Sequence, residues 1–301
     1  MSTGNPERKD GEGLLYGTVA VLGVGLLGGS LALAFRRSAL VGRIIGVSRP
    51  ATIGKALEMG VIDEGFPREQ TGRALAGADL VVLSSPVSVI VEQLKTVGQW
   101  LKEGATVTDV GSTKRTIVET ANNCLPEQIK FVGGHPMAGS EVSGVEGADP
   151  FLFQNAMYVL CPARDIDKPA ADKYCQLVSA VGARVLMMSP GRHDSIAAAI
   201  SHLPQMLAVA LMNQAAEAND SDPNTLKLAA GGFRDLTRIA ASPFGMWRDI
   251  CATNRDEITR VIDEFTGRLR LLRGLVGAEE LGERFSAAAA ARALIHKDAK
   301  G

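Results

Sequence analysis

Aromatic residues are scarce in this chain: Phe, Trp and Tyr make up 5% of 301 residues. Cysteine is scarce too, with Cys124, Cys161, Cys175 and Cys251 scattered and no C-x-x-C pair. That spacing argues against a disulfide scaffold or a zinc ribbon and suits reduced thiols in the core of a cytoplasmic protein. The four histidines (His135, His193, His202, His296) show no H-E-x-x-H or similar spacing, so no metal site is expected. The net charge is −1, which supplies no field to draw nucleic acid or an anionic membrane surface. No run of about 18 apolar residues points to a membrane span. Residues 1–13 are polar and charged; they read as a disordered tail and not as a signal peptide.

What is present is an ordinary globular composition, 46% hydrophobic and 22% charged, long enough for about two domains. The chain is organised around Gly17–Ser30. A valine-rich apolar run ends in G-x-G-x-x-G at Gly23, Gly25 and Gly28, and a helical pattern continues to Arg37. Strand, tight turn and helix in that order mark a dinucleotide site. Gly23 permits the turn, Gly25 lets a pyrophosphate approach bare backbone, and Gly28 lets the helix pack on the strand. The helix start at Leu26 and Leu27 offers N–H groups to phosphate.

Further apolar runs at 43–47, 79–84, 105–108, 130–132, 158–161 and 184–187 alternate with helical stretches up to about residue 188. This implies an α/β domain over 14–188 with a parallel sheet. Beyond it no strand pattern remains. Helices are expected at about 190–217, 223–230, 243–276 (broken near Thr253) and 278–294, a helical domain over 189–295 that suits a homodimer. Ligands bind at the carboxyl ends of parallel strands. The loops 23–28, 48–50, 84–86, 109–114 and 133–141 therefore form the expected active-site wall, with Ser85 and Pro86 beside the cofactor.

His135, in Gly133-Gly-His-Pro-Met-Ala-Gly-Ser-Glu141, is expected in a loop after a strand, where a neutral imidazole could accept a hydroxyl proton as hydride leaves. A structural loop histidine is the alternative. Ser112 is expected to cap the next helix and could also orient His135. Arg238, beside Gly231-Gly232, suits a carboxylate, or else pairs with Asp235. His202 and Trp247 read equally well as core residues.

Read together, GVGLLGGS, LSSPV, VTDVGSTK, GGHPMAGSE, SHLP, GGFRDLTRIA and MWRDI resemble, in this order, the prephenate/arogenate (cyclohexadienyl) dehydrogenases over about residues 17–276. The resemblance implies a Rossmann-type domain followed by a helical dimerisation domain, and the dehydrogenase step of tyrosine biosynthesis. It implies that His135 binds the substrate hydroxyl, that Ser112 orients it, and that Arg238 binds a substrate carboxylate. It assigns His202 to pocket support, and Glu141, Asp194 and Trp247 to the pocket's gate or lining. Some prephenate-specific members carry histidine where Gln205 stands, so an amide there points towards arogenate as well. A hydroxyacid or imine reductase, or a dinucleotide-binding protein without turnover, remains as an alternative.

About 20 residues beyond Gly28, where an NAD site puts Asp or Glu, stand Ser48 and Arg49. Residues 13–57 hold no carboxylate at all. Ser48 and Arg49 therefore suit a 2′-phosphate, and NADP is expected over NAD.

Overall fold

The computed structural model describes residues 13–139 and 142–297. The tail expected over residues 1–13 falls outside them apart from Gly13, and so does Glu141. Eight strands form one sheet: β1 (Tyr16–Leu22), β2 (Val41–Ser48), β3 (Glu64–Pro67), β4 (Leu80–Leu83), β5 (Thr106–Asp109), β6 (Lys130–Pro136), β7 (Met157–Pro162) and β8 (Arg184–Met187). Their order is β3-β2-β1-β4-β5-β6-β7-β8. The first six follow the doubly wound dinucleotide-binding order, with its reversal between β1 and β4.

Side chains alternate between two buried clusters because successive strand residues point to opposite faces. Val19, Val21, Leu80 and Val82 meet Leu31 and Phe35 of α1 (Leu26–Ser38) and Ile53 of α2 (Pro50–Glu58), with Tyr174 and Leu177 of α6 (Lys168–Ala180) in the same cluster. Ala20, Leu22, Val81, Leu83 and Val107 face α3 (Thr71–Leu75), α4 (Val87–Val97) and α5 (Arg115–Cys124), with Leu75, Ile90, Leu94 and Ile117 interdigitating. Burial of both faces explains why β4 reads as four consecutive apolar residues, all buried.

Three expectations need correction. Strand β3 was not foreseen: its Glu, Gly and Pro carry no apolar pattern, and only Phe66 is buried. Strand β7 runs antiparallel to β6. Residues 137–156 contain no crossover helix among those described, so the chain doubles back. The helix expected at 223–230 is a short 3₁₀ turn at Leu226–Leu228, and α9 (Gly231–Thr237) starts at the two glycines instead. The break near Thr253 is present, between α10 (Phe244–Thr253) and α11 (Arg255–Gly274).

Two compact units result. One holds the chain up to Ala197, including α7 (Pro190–Ala197), and takes back Ala241–Asn254 with α10. The other holds Ala198–Ala240 and the chain from Arg255 on. It comprises a π-helical turn (Ala198–His202), α8 (Leu203–Ser221), α9, α11 and α12 (Leu281–Lys297). The helical stretch Pro190–Ser221 is long and apolar enough by composition to cross a membrane. It also carries buried His193, Asp194, His202 and Gln205, polar groups that are expensive in lipid and ordinary in a packed protein.

Candidate functional site

The glycine loop has the backbone that its sequence demands. Gly23 sits at φ +98°, and a Cβ there would lie 2.1 Å from the Ser84 carbonyl oxygen. A Cβ on Gly28 would lie 2.2 Å from the Gly23 carbonyl oxygen, whereas one on Gly25 would meet nothing within 4 Å. Gly23 and Gly28 are thus needed for packing, and Gly25 opens backbone towards a ligand. Gly25 caps α1, whose first turn has no acidic residue. The N–H groups of Leu26, Leu27 and Gly28 have no carbonyl one turn behind them within the helix, an arrangement that fits a dinucleotide pyrophosphate.

Neighbouring strand ends register with this loop. The Gly23 N–H donates to the Val47 carbonyl at 2.9 Å, and the Ser84 N–H to the Leu22 carbonyl at 2.8 Å. Ser48 closes β2 and is buried, while Arg49, exposed, caps α2. Ser48 pairs with Pro67, so Arg68, also exposed, follows β3 at the same edge. Sequence reasoning missed Arg68 because it missed β3. Ser85 and Pro86 lead into α4, where the Ser88 N–H and hydroxyl donate to Asp249 Oδ2 at 2.9 and 2.6 Å. That contact ties α10, which carries the buried Trp247, to the start of α4.

His135 lies within β6, opposite Val159 of β7, and not in the loop expected after the strand. Its half-buried ring approaches His193 of α7, with Nδ1 2.8 Å from His193 Nε2 and the ring centroids 5.0 Å apart, edge to face. His193 Nδ1 is 2.7 Å from Asp194 Oδ1. Asp194 in turn accepts the backbone N–H of Lys114 at 2.7 Å and of Arg115 at 2.9 Å, and so caps α5. Ser112 is therefore not the cap: α5 begins at Arg115, and Ser112 is half-buried in the turn after β5. Asn254 supports the arrangement by donating its Nδ2 to the Asp194 carbonyl at 2.8 Å. His193 and Asp194 are both buried. The sequence offered one sign of them, a His-Asp pair shortly before Ser201-His202.

Beneath the cap, the fully buried Lys114 ammonium pairs with the fully buried Asp109 carboxylate. Asp109 also accepts the N–H of Gly111 at 2.8 Å and of Gly134 at 3.1 Å. Burial pushes the Asp109 carboxyl above its ordinary pKa, against the opposing pull of Lys114 and these N–H groups. The network locks the turn of 109–114 to β6 one residue before His135.

The remaining candidates belong to the helical unit. His202 is buried in the π turn, an irregularity common at functional sites. Gln205 is buried in the first turn of α8, and its Nε2 donates to the Ile239 carbonyl at 2.9 Å. Arg238 is exposed at the start of the 3₁₀ turn that follows α9. No group of three or more His, Cys, Asp or Glu side chains that could hold a metal is present among the described residues.

The nucleotide-binding domain model of prephenate dehydrogenase matches residues 31–187, and the dimerization domain model of the same family matches residues 189–288. The chain is 39% identical over 272 residues to the prephenate dehydrogenase of Bacillus subtilis, covering 89% of this chain and 72% of that one. Among solved structures it is similar to Aquifex aeolicus prephenate dehydrogenase in complex with hydroxyphenyl propionate and NAD+. The TM-score is 0.86 at 37% identity, covering 93% of this chain and 98% of that one. It is also similar to Synechocystis arogenate dehydrogenase, with a TM-score of 0.82 at 30% identity, covering 92% of this chain and 99% of that one. Both units of the chain are thus matched by models of one family, and the chain belongs to the prephenate dehydrogenase family.

Proposed function

We propose that the chain oxidatively decarboxylates arogenate, prephenate or both, passing a hydride to NADP in preference to NAD. The observation that carries this reading is His135, held near the carboxyl end of β6 in the glycine-loop unit with its Nδ1 occupied by His193. The substrate ring bears a hydroxyl on one carbon and a carboxylate on the quaternary carbon opposite. The nicotinamide supplies the hydride acceptor. His135 accepts the hydroxyl proton as the hydride leaves for the nicotinamide and the hydroxyl becomes a carbonyl. When the carboxylate departs as carbon dioxide, the electron pair of the broken C–C bond makes the ring aromatic and the oxygen takes the proton back from His135. Ser112 orients His135, Arg238 grips a substrate carboxylate, and His202 and Trp247 line the pocket. Glu141 is assigned to its gate on the resemblance alone.

Gly23, Gly25, Leu26, Leu27 and Gly28, with Ser85 and Pro86, would hold the dinucleotide. Ser48, Arg49 and Arg68 crowd the end of β2 and β3 with donors, which favours a 2′-phosphate. The Aquifex complex holds NAD+, so direct competition between cofactors decides the point. A charge-assisted contact of about 1.5–3 kcal/mol corresponds to a roughly 10–150-fold preference in kcat/KM for NADP, and Arg49→Asp should erase it.

Gln205 donates one of its two Nε2 hydrogens to the Ile239 carbonyl, which leaves the second hydrogen and the Oε1 acceptor. A neutral amide with a donor and an acceptor to offer argues against strict prephenate specificity, so arogenate should be accepted, and preferentially. The dimerization-domain match and the exposed apolar side chains of the helical unit support a homodimer. The test of the reaction is stoichiometry: one carbon dioxide released per cofactor reduced. Cofactor reduction without carbon dioxide release would favour a hydroxyacid dehydrogenase instead.

A further inference from the structure

We propose that His193 and Asp194 form a relay behind His135 that fixes its tautomer and shares its charge, which makes His193 a positioning residue for the dehydrogenation. The inference rests on the reading of His135 given above. The hydrogen bonds leave little choice of proton placement. Asp194 accepts two backbone N–H groups, one on each carboxylate oxygen, and backbone N–H can only donate. The carboxylate is thus an anionic acceptor, and His193 Nδ1 must be the donor to it. In neutral His193 the lone pair then sits on Nε2. His135 Nδ1, 2.8 Å away, donates to that lone pair. The His135 lone pair is left on Nε2, the nitrogen that can take a hydroxyl proton.

The opposite placement would disable the site. A proton on His193 Nε2 would turn His135 Nδ1 into the acceptor and put the hydrogen of His135 on Nε2. Asp194 and the two donors of the α5 terminus act against that state by holding the chain of donors in one direction. The Lys114 ammonium is engaged by Asp109 and so does not compete for the Asp194 carboxylate. During turnover the ring C–H hydride leaves for the nicotinamide as the substrate O–H bond breaks, and the proton bonds to His135 Nε2 until loss of carbon dioxide makes the ring aromatic and the oxygen takes the proton back. The resulting imidazolium strengthens its Nδ1–H bond to His193, whose own N–H faces the Asp194 anion. His193, buried and remote from solvent, spreads the positive charge without touching the substrate.

The experiment is steady-state kinetics on the full chain, with cofactor affinity and thermal melts measured alongside. The variants are His193→Ala, His193→Gln, His193→Asn, His135→Asn and the double His135→Asn/His193→Ala. His193→Ala should lower kcat by about 10–100-fold, with substrate KM and cofactor Kd within about twofold. His193→Gln sets an amide oxygen near the place of Nε2 and should recover most of that loss, whereas the shorter His193→Asn should not. The double variant should be no slower than His135→Asn alone, because His193 acts only through His135. Near-normal kcat in His193→Ala, no rescue by glutamine, or additive losses in the double variant would overturn the relay. Where the alanine variant melts on isolation, glutamine against asparagine carries the same test. A fully active His135→Asn would overturn the relay together with the reading of His135 on which it stands.

Discussion

In the sheet unit all four residues of β4 are buried, with α-helices on both faces. In the helical unit no described residue of α12 is buried; Phe285, Leu294 and Ile295 are 61–70% exposed. Leu228, Leu236 and Val276 are still more open or comparable, at 66–81%. One unit closes its core within the chain. The other offers apolar surface that an isolated chain leaves in water, which suits burial against a second copy. Chemistry follows the same division. The sheet unit holds His135, His193 and Asp194, whereas Gln205 and Arg238 lie in the helical unit.

Substitutions should separate the two accordingly. The largest effect is expected at His135: His135→Asn should lower kcat by about 10²–10⁴-fold while cofactor affinity, read by fluorescence titration, stays normal. The same role predicts that activity falls as acid protonates the imidazole, since an imidazolium cannot accept the hydroxyl proton. Next is Arg238→Gln, which should raise substrate KM by roughly 10–150-fold, the loss of a charged hydrogen bond worth about 1.5–3 kcal/mol. A fall in kcat with unchanged KM would place Arg238 with the chemistry and blur the division. Smallest is Phe285→Asp, expected to shift the protein towards monomer in sedimentation while leaving the secondary structure of the sheet unit intact. A variant that stays dimeric would remove α12 from the interface.

The legibility of the sequence follows the same line. Strand β4 and the inner parts of β1 (residues 19–22) and β2 (residues 44–47) are short apolar runs, so burial on both faces wrote itself into composition. β3 did not, because an edge strand of Glu-Gly-Phe-Pro needs only one buried side chain. The roles of Gly23 and Gly28 were readable because each meets backbone closer than any Cβ allows. The cap of α5 was not, since it comes from Asp194, about eighty residues away, while Ser112 stood in the expected place. The contact of His193 with His135 was hidden for the same reason: long-range pairing leaves no periodicity. Arg68 was lost with its strand.

The measurement that bears most directly on the central claim is the rise of the reduced-nicotinamide absorbance when the purified chain meets arogenate or prephenate with NADP or NAD. The account predicts turnover that needs His135, with arogenate and NADP the faster pair and carbon dioxide released in equal amount. No reduction of either cofactor by either substrate, in protein that binds the cofactor, would contradict it.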